Sequence, residues 1–343
     1  MPNPFWNPGE RRIRAFWRLI LQVVLMFILE TVAGIVLSTI APQVVQALLD
    51  PTHLTQNPLL AISSTLVTFI SILLSIWLAG RWFDHRPFKE FGLHLNSQWW
   101  SDLVFGLVLG AVLITFIFVV ELVFGWVTIK GTFQSNSPGQ SFGSTAIYGV
   151  FFFLAIGIQE ELMSRGYMLR NLAEGLNLPW ITPKAALFLG YLISSVAFGV
   201  QHVLNPNSTT ISTINIMIAG LFLGLGFILT GELALPIGLH ITWNYFEGYI
   251  FGFPVSGLTS AGNFLAIQQK GPNQWTGGAF GPEAGLIGLA AMLVGAGLIL
   301  AWVHWRRGQI SIQTKLAEYT STREVPSSQE DQAVPVLNGT RRW

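Results

Sequence analysis

The stretch that decides the fold is residues 149–170, which read GVFFFLAIGIQEELMSRGYMLR. An apolar run ends there in two adjacent carboxylates, and an arginine follows four residues after the second. A helix that crosses the hydrocarbon core of a bilayer needs about 20 mostly apolar residues. We therefore predict a membrane-spanning helix over Ala146–Met163, with ionisable side chains near its end.

The rest of the chain repeats this apolar pattern. Its 343 residues are 51% hydrophobic and 10% charged, whereas a typical soluble domain has roughly 25% charged residues. Further spans are predicted at Phe16–Ile40, Leu59–Gly80, Leu103–Val127, Ala185–Val203, Ile211–Thr230, Leu233–Gly252 and Gly285–Trp305. The fold class is therefore an all-α integral membrane protein, a bundle of about eight transmembrane helices. Glycines four residues apart, Gly106 and Gly110, predict close helix packing within it.

The composition also excludes several classes of function. So few charged residues cannot cover the surface of a soluble enzyme. A formal net charge of +1 does not suit nucleic-acid binding, so no nucleic-acid partner is expected. The chain contains no cysteine, which excludes disulfides, a thiolate nucleophile and a cysteine-ligated metal.

Basic residues predict the orientation, because cytoplasmic loops are enriched in lysine and arginine. With the N-terminus inside and eight alternating spans, only Lys130 and Lys270 of the eighteen basic residues fall outside. Both termini are thus predicted to be cytoplasmic, in a multi-pass protein of the plasma membrane. We expect a cytoplasmic segment over 1–15, a membrane core over 16–305 and a polar, disordered cytoplasmic tail over 306–343.

Ionisable side chains inside an apolar bundle are costly, so they are usually functional. Glu161 and Arg165 are four residues apart and can form an ion pair on one face of a helix. Glu160 points about 100° away around the helix, which leaves it free for another partner. The simpler alternative is a helix end at the lipid headgroups, with both carboxylates in water.

Two later spans carry polar side chains at helical spacing. Phe198 and His202 are one turn apart, as are His240 and Asn244, so each pair shares a face. Glu160, His202 and His240 could bind a divalent metal such as Zn²⁺ that activates water. Alternatively, Glu160 acts as a general base without a metal, while histidine and asparagine donate to the oxyanion. Both routes hydrolyse an amide bond.

Simple alternation of the spans creates one difficulty for this site. It places Glu160 near the inner end of its helix and His202 near the outer end of the next, although catalysis needs them within one water of each other. Residues 166–172 are apolar enough to extend the fourth helix. The polar stretch 205–215 could enter a cavity, where irregular backbone is tolerated. We therefore predict a central, water-filled catalytic cavity.

Three motifs, in this order, resemble those of the CPBP intramembrane protease family, which includes CaaX prenyl endopeptidases and Abi-type bacteriocin-processing or immunity proteins. They are EELMSR at 160–165, FGVQH at 198–202 and HITWN at 240–244. The resemblance covers about residues 145–250. The eight-span layout agrees with the fold that this family implies.

The resemblance implies six site residues, which are Glu160, Glu161, Arg165, His202, His240 and Asn244. The first glutamate would activate the water, assisted by the histidine of the second motif. The histidine and asparagine of the third motif would stabilise the oxyanion or hold a metal. The second glutamate and the arginine would orient the site.

The expected function is an intramembrane endopeptidase that cleaves a peptide bond near or within the membrane, in CaaX-type or bacteriocin-type processing. Its partners would be membrane lipid and a peptide or protein substrate, with either a divalent metal or no cofactor. The compact core without cysteine is typical of a bacterial protein. Two alternatives stay open: a non-catalytic immunity or scaffold protein of the same fold, and a small proton-coupled transporter that uses the same acids as a proton relay. Dependence on Glu30 or Glu121 would favour transport.

Overall fold

The computed structural model describes residues 3–42 and 58–319. The helices are α1 Ala15–Ile40, α2 Pro58–Ala79, α3 Ser97–Val123, α4 Phe142–Glu161, α5 Arg170–Leu176, α6 Pro183–Gln201, α7 Thr210–Thr230, α8 Ala234–Asn244, α9 Asn273–Thr276 and α10 Leu286–Arg307. Three π-helical segments continue them: Gly80–Asp84 after α2, Leu162–Leu169 between α4 and α5, and Tyr245–Ile250 after α8. The strands are β1 Trp6–Asn7, β2 Arg12–Ile13, β3 Val127–Ser135 and β4 Gly262–Gln269.

The helical membrane bundle predicted from the sequence is confirmed. Seven helices in the described part of the chain are long and apolar enough to cross a membrane. The predicted span Leu233–Gly252 is helical but shorter, since α8 has 11 residues and the π-helical segment after it has six. Helix α8 is buried along almost its whole length, because it packs against α3, α4 and α7. It is therefore the central helix of the bundle.

The fourth span is longer than its apolar run indicates. One continuous helix covers Phe142–Leu176, which is 35 residues, or roughly 50 Å at 1.5 Å per residue. The expected extension over 166–172 is thus confirmed, and Glu160 lies inside the helix rather than at its end. Arg165 also lies inside it. The predicted end of this span at Met163 is wrong, because the helix continues to Leu176.

Glycines let α3 and α8 approach closely, as their spacing predicts. A Cβ on Gly106 would collide with the carbonyl oxygen of Leu235, and one on Gly238 would collide with the carbonyl oxygen of Leu103. Gly110 is equally close to α8. The two backbones therefore pack directly against each other, and these small residues serve packing within the bundle.

Replacing Gly106 with alanine is expected to lower the free energy of unfolding by about 1–3 kcal/mol, because the added methyl group must push α3 and α8 apart. Thermal unfolding of the purified protein in detergent measures this effect. Gly297→Ala on α10 is the matched control, since no atom lies within 4 Å of the place its Cβ would take. Equal stability of the two variants would contradict the close contact.

A two-stranded sheet that no sequence pattern predicts lies at one end of the bundle. Strands β3 and β4 pair antiparallel, with an irregularity between Ile129 and Gly131. Both strands belong to segments that the charge bias places outside. Their pairing therefore agrees with the predicted alternation of the spans. The shorter pair β1 and β2 precedes α1.

A buried network of ion pairs joins segments that are predicted to lie inside. Glu174 on α5 accepts hydrogen bonds from Arg12 at 2.8 Å and from Arg18 at 3.3 Å, and it also pairs with Arg86. Arg18 contacts Asp84 at 3.2 Å. All five residues are at most 7% exposed. The arginines from which the cytoplasmic side is predicted thus form ion pairs with carboxylates inside the protein.

The predicted tail over 306–343 is described only as far as residue 319. Leu316 and Ala317 are buried, and the Gln313 N–H donates to the Ile228 carbonyl at 2.8 Å. This first part packs against the bundle, whereas residues 320–343 lie outside the described residues. The domain boundaries of the sequence analysis stay predictions.

Candidate active site

A cavity of about 530 Å³ lies where α4, α6, α7 and α8 meet. Four of the six predicted site residues line it, namely Glu160, His202, His240 and Asn244. They come from the last turn of α4 within the long fourth helix, from the residue directly after α6 and from the central helix α8. The structure thus brings together side chains that are far apart in the sequence.

The other two predicted residues form an ion pair behind the cavity. Arg165 Nη1 donates to Glu161 Oε1 at 2.7 Å, and both side chains are at most 1% exposed. His240 Nδ1 lies 2.8 Å from the same carboxylate oxygen. The predicted Glu161–Arg165 pair is therefore present. One buried oxygen connects the first motif to the third.

Arg165 also connects the first motif to the second. Its Nη2 donates to the Gly220 carbonyl at 2.8 Å, and its guanidinium lies 4.5 Å from the centre of the Phe198 ring. The ring of Phe198 is 5.0 Å from His202 and 6.1 Å from His240, between ring centres. Phe198 therefore packs between the functional side chains, as its place one turn before His202 predicts.

Local backbone features place these groups. Gly157 lies one turn before Glu161, and a Cβ on it would lie 3.1 Å from the Ile241 nitrogen. Helix α4 therefore approaches α8 closely beside His240. The π-helical segment Leu162–Leu169 begins directly after the two acids, and such segments are frequent at functional sites.

The loop after α6 explains how His202 reaches the cavity. Helix α6 ends at Gln201, and the backbone stays irregular until α7 begins at Thr210. Asn205 in this loop also lines the cavity. The expected entry of a polar, irregular segment into the cavity is thus confirmed for the part around Asn205.

Both histidines present the same nitrogen to the cavity. His202 Nδ1 lies 2.8 Å from the Phe198 carbonyl oxygen, which can only accept a hydrogen bond, so Nδ1 carries the hydrogen. The Glu161 carboxylate fixes the hydrogen on Nδ1 of His240 in the same way. Nε2 of each ring is therefore the free nitrogen. His240 Nε2 is 3.9 Å from Glu160 Oε2, a distance too long for a direct hydrogen bond.

Three of the lining residues are also the predicted metal ligands, namely Glu160, His202 and His240. Within residues 3–42 and 58–319, no three histidine, aspartate or glutamate side chains are grouped so that they could hold a metal ion. Zinc ligands converge to about 2.0–2.2 Å from one ion. Glu160, His202 and His240 share the cavity without forming such a set.

One acid of the cavity is not among the predicted site residues. Glu283 lines it and is 5% exposed, and Ser256, another lining residue, donates a hydrogen bond to it. The run Gly281-Pro282-Glu283 is typical of the first turn of a helix, which is a structural role. The only further signal is an acid within a glycine-rich loop, which does not indicate a cavity.

Three other acids within or near the spans lie apart from the cavity. Glu30, Glu121 and Glu247 are absent from the residues that line it. Glu247 is fully buried, and Glu121 accepts a hydrogen bond from Gln269 at 3.2 Å. The predicted catalytic residues therefore line a cavity to which Glu30 and Glu121 do not contribute.

A comparison with known families supports the resemblance seen in the motifs. Residues 142–246 match the model of a family described as type II CAAX prenyl endopeptidase Rce1-like. This range covers less than half of the chain and contains all six predicted site residues. The match supports membership of the CPBP and CAAX protease group and a membrane protease of this general kind. The comparisons with curated proteins and with solved structures found no match.

Proposed function

We propose that this chain is a membrane-embedded endopeptidase in which Glu160 takes a proton from the attacking water. One observation carries the proposal. Glu160, His202, His240 and Asn244 line a single cavity, inside the region that matches a peptidase family. A cavity with convergent polar groups and apolar walls is the usual form of a substrate site.

The reaction follows from the free atoms of these side chains. Glu160 takes a proton from water while the water oxygen attacks the peptide carbonyl carbon. His202 Nε2 accepts a hydrogen bond from the same water and orients it. The Asn244 amide and His240 in its doubly protonated form donate to the carbonyl oxygen as it becomes negative. Glu160 then gives its proton to the leaving nitrogen as the C–N bond breaks.

The ion pair behind the cavity supports this role for His240. Glu161 holds Nδ1 of the ring, and Arg165 holds the carboxylate of Glu161. A ring fixed at one nitrogen keeps the other aimed at a constant place. In the predicted orientation, with both termini cytoplasmic in the plasma membrane of a bacterium, the loops that wall the cavity lie on the outer side.

Cleavage of a mixed library of membrane peptides in proteoliposomes, read by mass spectrometry, tests the proposal. The wild-type protein is expected to produce defined cuts that Glu160→Gln and His202→Ala both lose. Each protein is measured with and without a chelator, and cuts that persist with chelator support the route without metal. Cuts that vanish with chelator and return with Zn²⁺ would contradict that route.

The same variants separate a protease from the two alternatives. If both variants keep the cellular phenotype of the wild type, the protease proposal fails and a scaffold function is favoured. A phenotype that instead depends on Glu30 or Glu121 would favour transport. Neither of these acids lines the cavity, so we expect Glu30→Gln to retain cleavage.

A further inference from the structure

The cavity contains a second carboxyl group that the proposed reaction does not use. Glu283 lies in the turn that precedes α10 and lines the cavity together with His202 and His240. It lies outside the range that matches the family model, which ends at residue 246. Its role therefore has to be inferred from its surroundings in this chain.

Loops on both sides hold Glu283 in place. Ser256 Oγ donates to Glu283 Oε1, and Asn205 Nδ2 donates to the Ser256 carbonyl at 2.9 Å. The Gly257 N–H donates to the Phe280 carbonyl at 2.7 Å. Ser256 has a φ of 47°, a left-handed conformation that is unfavourable for serine and is often found at functional sites. Hydrogen bonds between these loops therefore hold this wall of the cavity in one conformation.

The cavity has two histidines but no permanently charged cation to compensate the Glu283 carboxylate. Among the described residues that line it, none is lysine or arginine, and most of the others are apolar or aromatic. Burial raises the pKa of Glu283, although Ser256 and the two histidines act in the opposite direction. A positive group that enters the cavity would favour the ionised carboxylate and remove much of the cost of burying it.

We propose that Glu283 and Ser256 form a subsite for a positively charged nitrogen of the substrate. The preferred substrate is then an apolar peptide segment with a lysine or arginine side chain, or a free amino terminus, close to the cleaved bond. A charge-assisted hydrogen bond to a carboxylate in a desolvated cavity gives such recognition. A substrate carboxylate at the same place would bring like charges together. This inference rests on the proposed function, because it concerns the substrate of the same cavity.

The test measures binding rather than cleavage, in full-length protein that carries Glu160→Gln so that peptides stay intact. Fluorescent apolar peptides with one lysine are compared with the same peptides carrying norleucine, in nanodiscs of zwitterionic lipid. We expect the lysine peptides to bind roughly 10- to 100-fold more tightly. Adding Glu283→Gln should reduce the difference to about twofold or less.

Two further comparisons identify which group of the peptide carries the recognised positive charge, and whether Glu283 recognises it. Comparing the binding of peptides with acetylated and with free amino termini distinguishes a side-chain cation from a terminal amine. Glu121→Gln is the matched control, because Glu121 is a buried carboxyl that does not line the cavity, and it should keep the preference for lysine. Glu283→Lys should instead bind a peptide with aspartate more tightly than the lysine peptide. A variant that has lost its fold would not show this reversed preference.

Equal binding of the lysine and norleucine peptides would overturn the inference, as would a preference that survives Glu283→Gln. The proposed function fails by a different measurement, namely the absence of Glu160-dependent cuts in the peptide library. Selective binding of cations without any cleavage would thus keep the subsite and contradict the protease. Glu160-dependent cleavage with no preference for a charged peptide would support the protease and contradict the subsite.

Discussion

Replacing Glu160 with glutamine is expected to lower kcat for peptide cleavage by about 10²- to 10⁴-fold, the usual contribution of a general base. The fold should persist, because the Glu160 side chain is 23% exposed and its distance to His240 is 3.9 Å. No tight buried contact is lost when the carboxylate becomes an amide. Steady-state kinetics with a defined peptide and thermal unfolding in detergent measure the two effects.

Glu161→Gln is the informative companion, since the two glutamates are neighbours in the sequence with different surroundings. Glu161 is fully buried and contacts both Arg165 and His240. Loss of its charge leaves a buried guanidinium without its partner, a change that typically costs about 3–5 kcal/mol. This variant should therefore lose both stability and activity. A Glu160→Gln protein with wild-type kcat would contradict the assignment of the base.

Replacing Glu174 with glutamine is expected to lower the free energy of unfolding by about 3–5 kcal/mol. The change leaves Arg12, Arg18 and Arg86 without the carboxylate that they share. Breaking a buried pair costs more than the pair itself contributes, because the remaining charges cannot reach water. Chemical or thermal unfolding in detergent is the measurement, and kcat at low temperature should change little because Glu174 does not line the cavity.

Glu10 provides the matched control for the network. It contacts Arg12 at 2.7 Å, but its side chain is 31% exposed. Solvent screens such a pair, so Glu10→Gln should change the free energy of unfolding by about 1 kcal/mol or less. If Glu10→Gln and Glu174→Gln destabilise the protein equally, the buried network does not have the role described above.

Local sequence patterns are sufficient for the helices and for part of the candidate site. The apolar runs predict the spans because each helix must satisfy its own backbone hydrogen bonds in lipid. The spacing of four residues predicts the Glu161–Arg165 pair, since both side chains lie on one face of the same helix. The same logic places His240 and Asn244 on one face of α8. The catalytic roles and the substrate remain predictions.

Contacts between distant segments are what the sequence patterns do not reveal. The pairing of β3 with β4 joins strands separated by more than a hundred residues, and neither strand has a strong pattern of its own. Glu283 reaches the cavity only because two loops fold over it. The Arg12–Glu174 pair likewise has no local signal. The end of the fourth helix is misplaced for a local reason, because no strong stop signal follows Met163.

The 35-residue helix from Phe142 to Leu176 also determines how the protein responds to bilayer thickness. At roughly 50 Å it exceeds the roughly 30 Å hydrocarbon layer, and α5 with its ion-pair network occupies one end. A thicker membrane can cover more of α5 without moving Glu160 relative to α8. We therefore expect hydrophobic mismatch to be accommodated at this end of the helix, with little change in the geometry of the cavity.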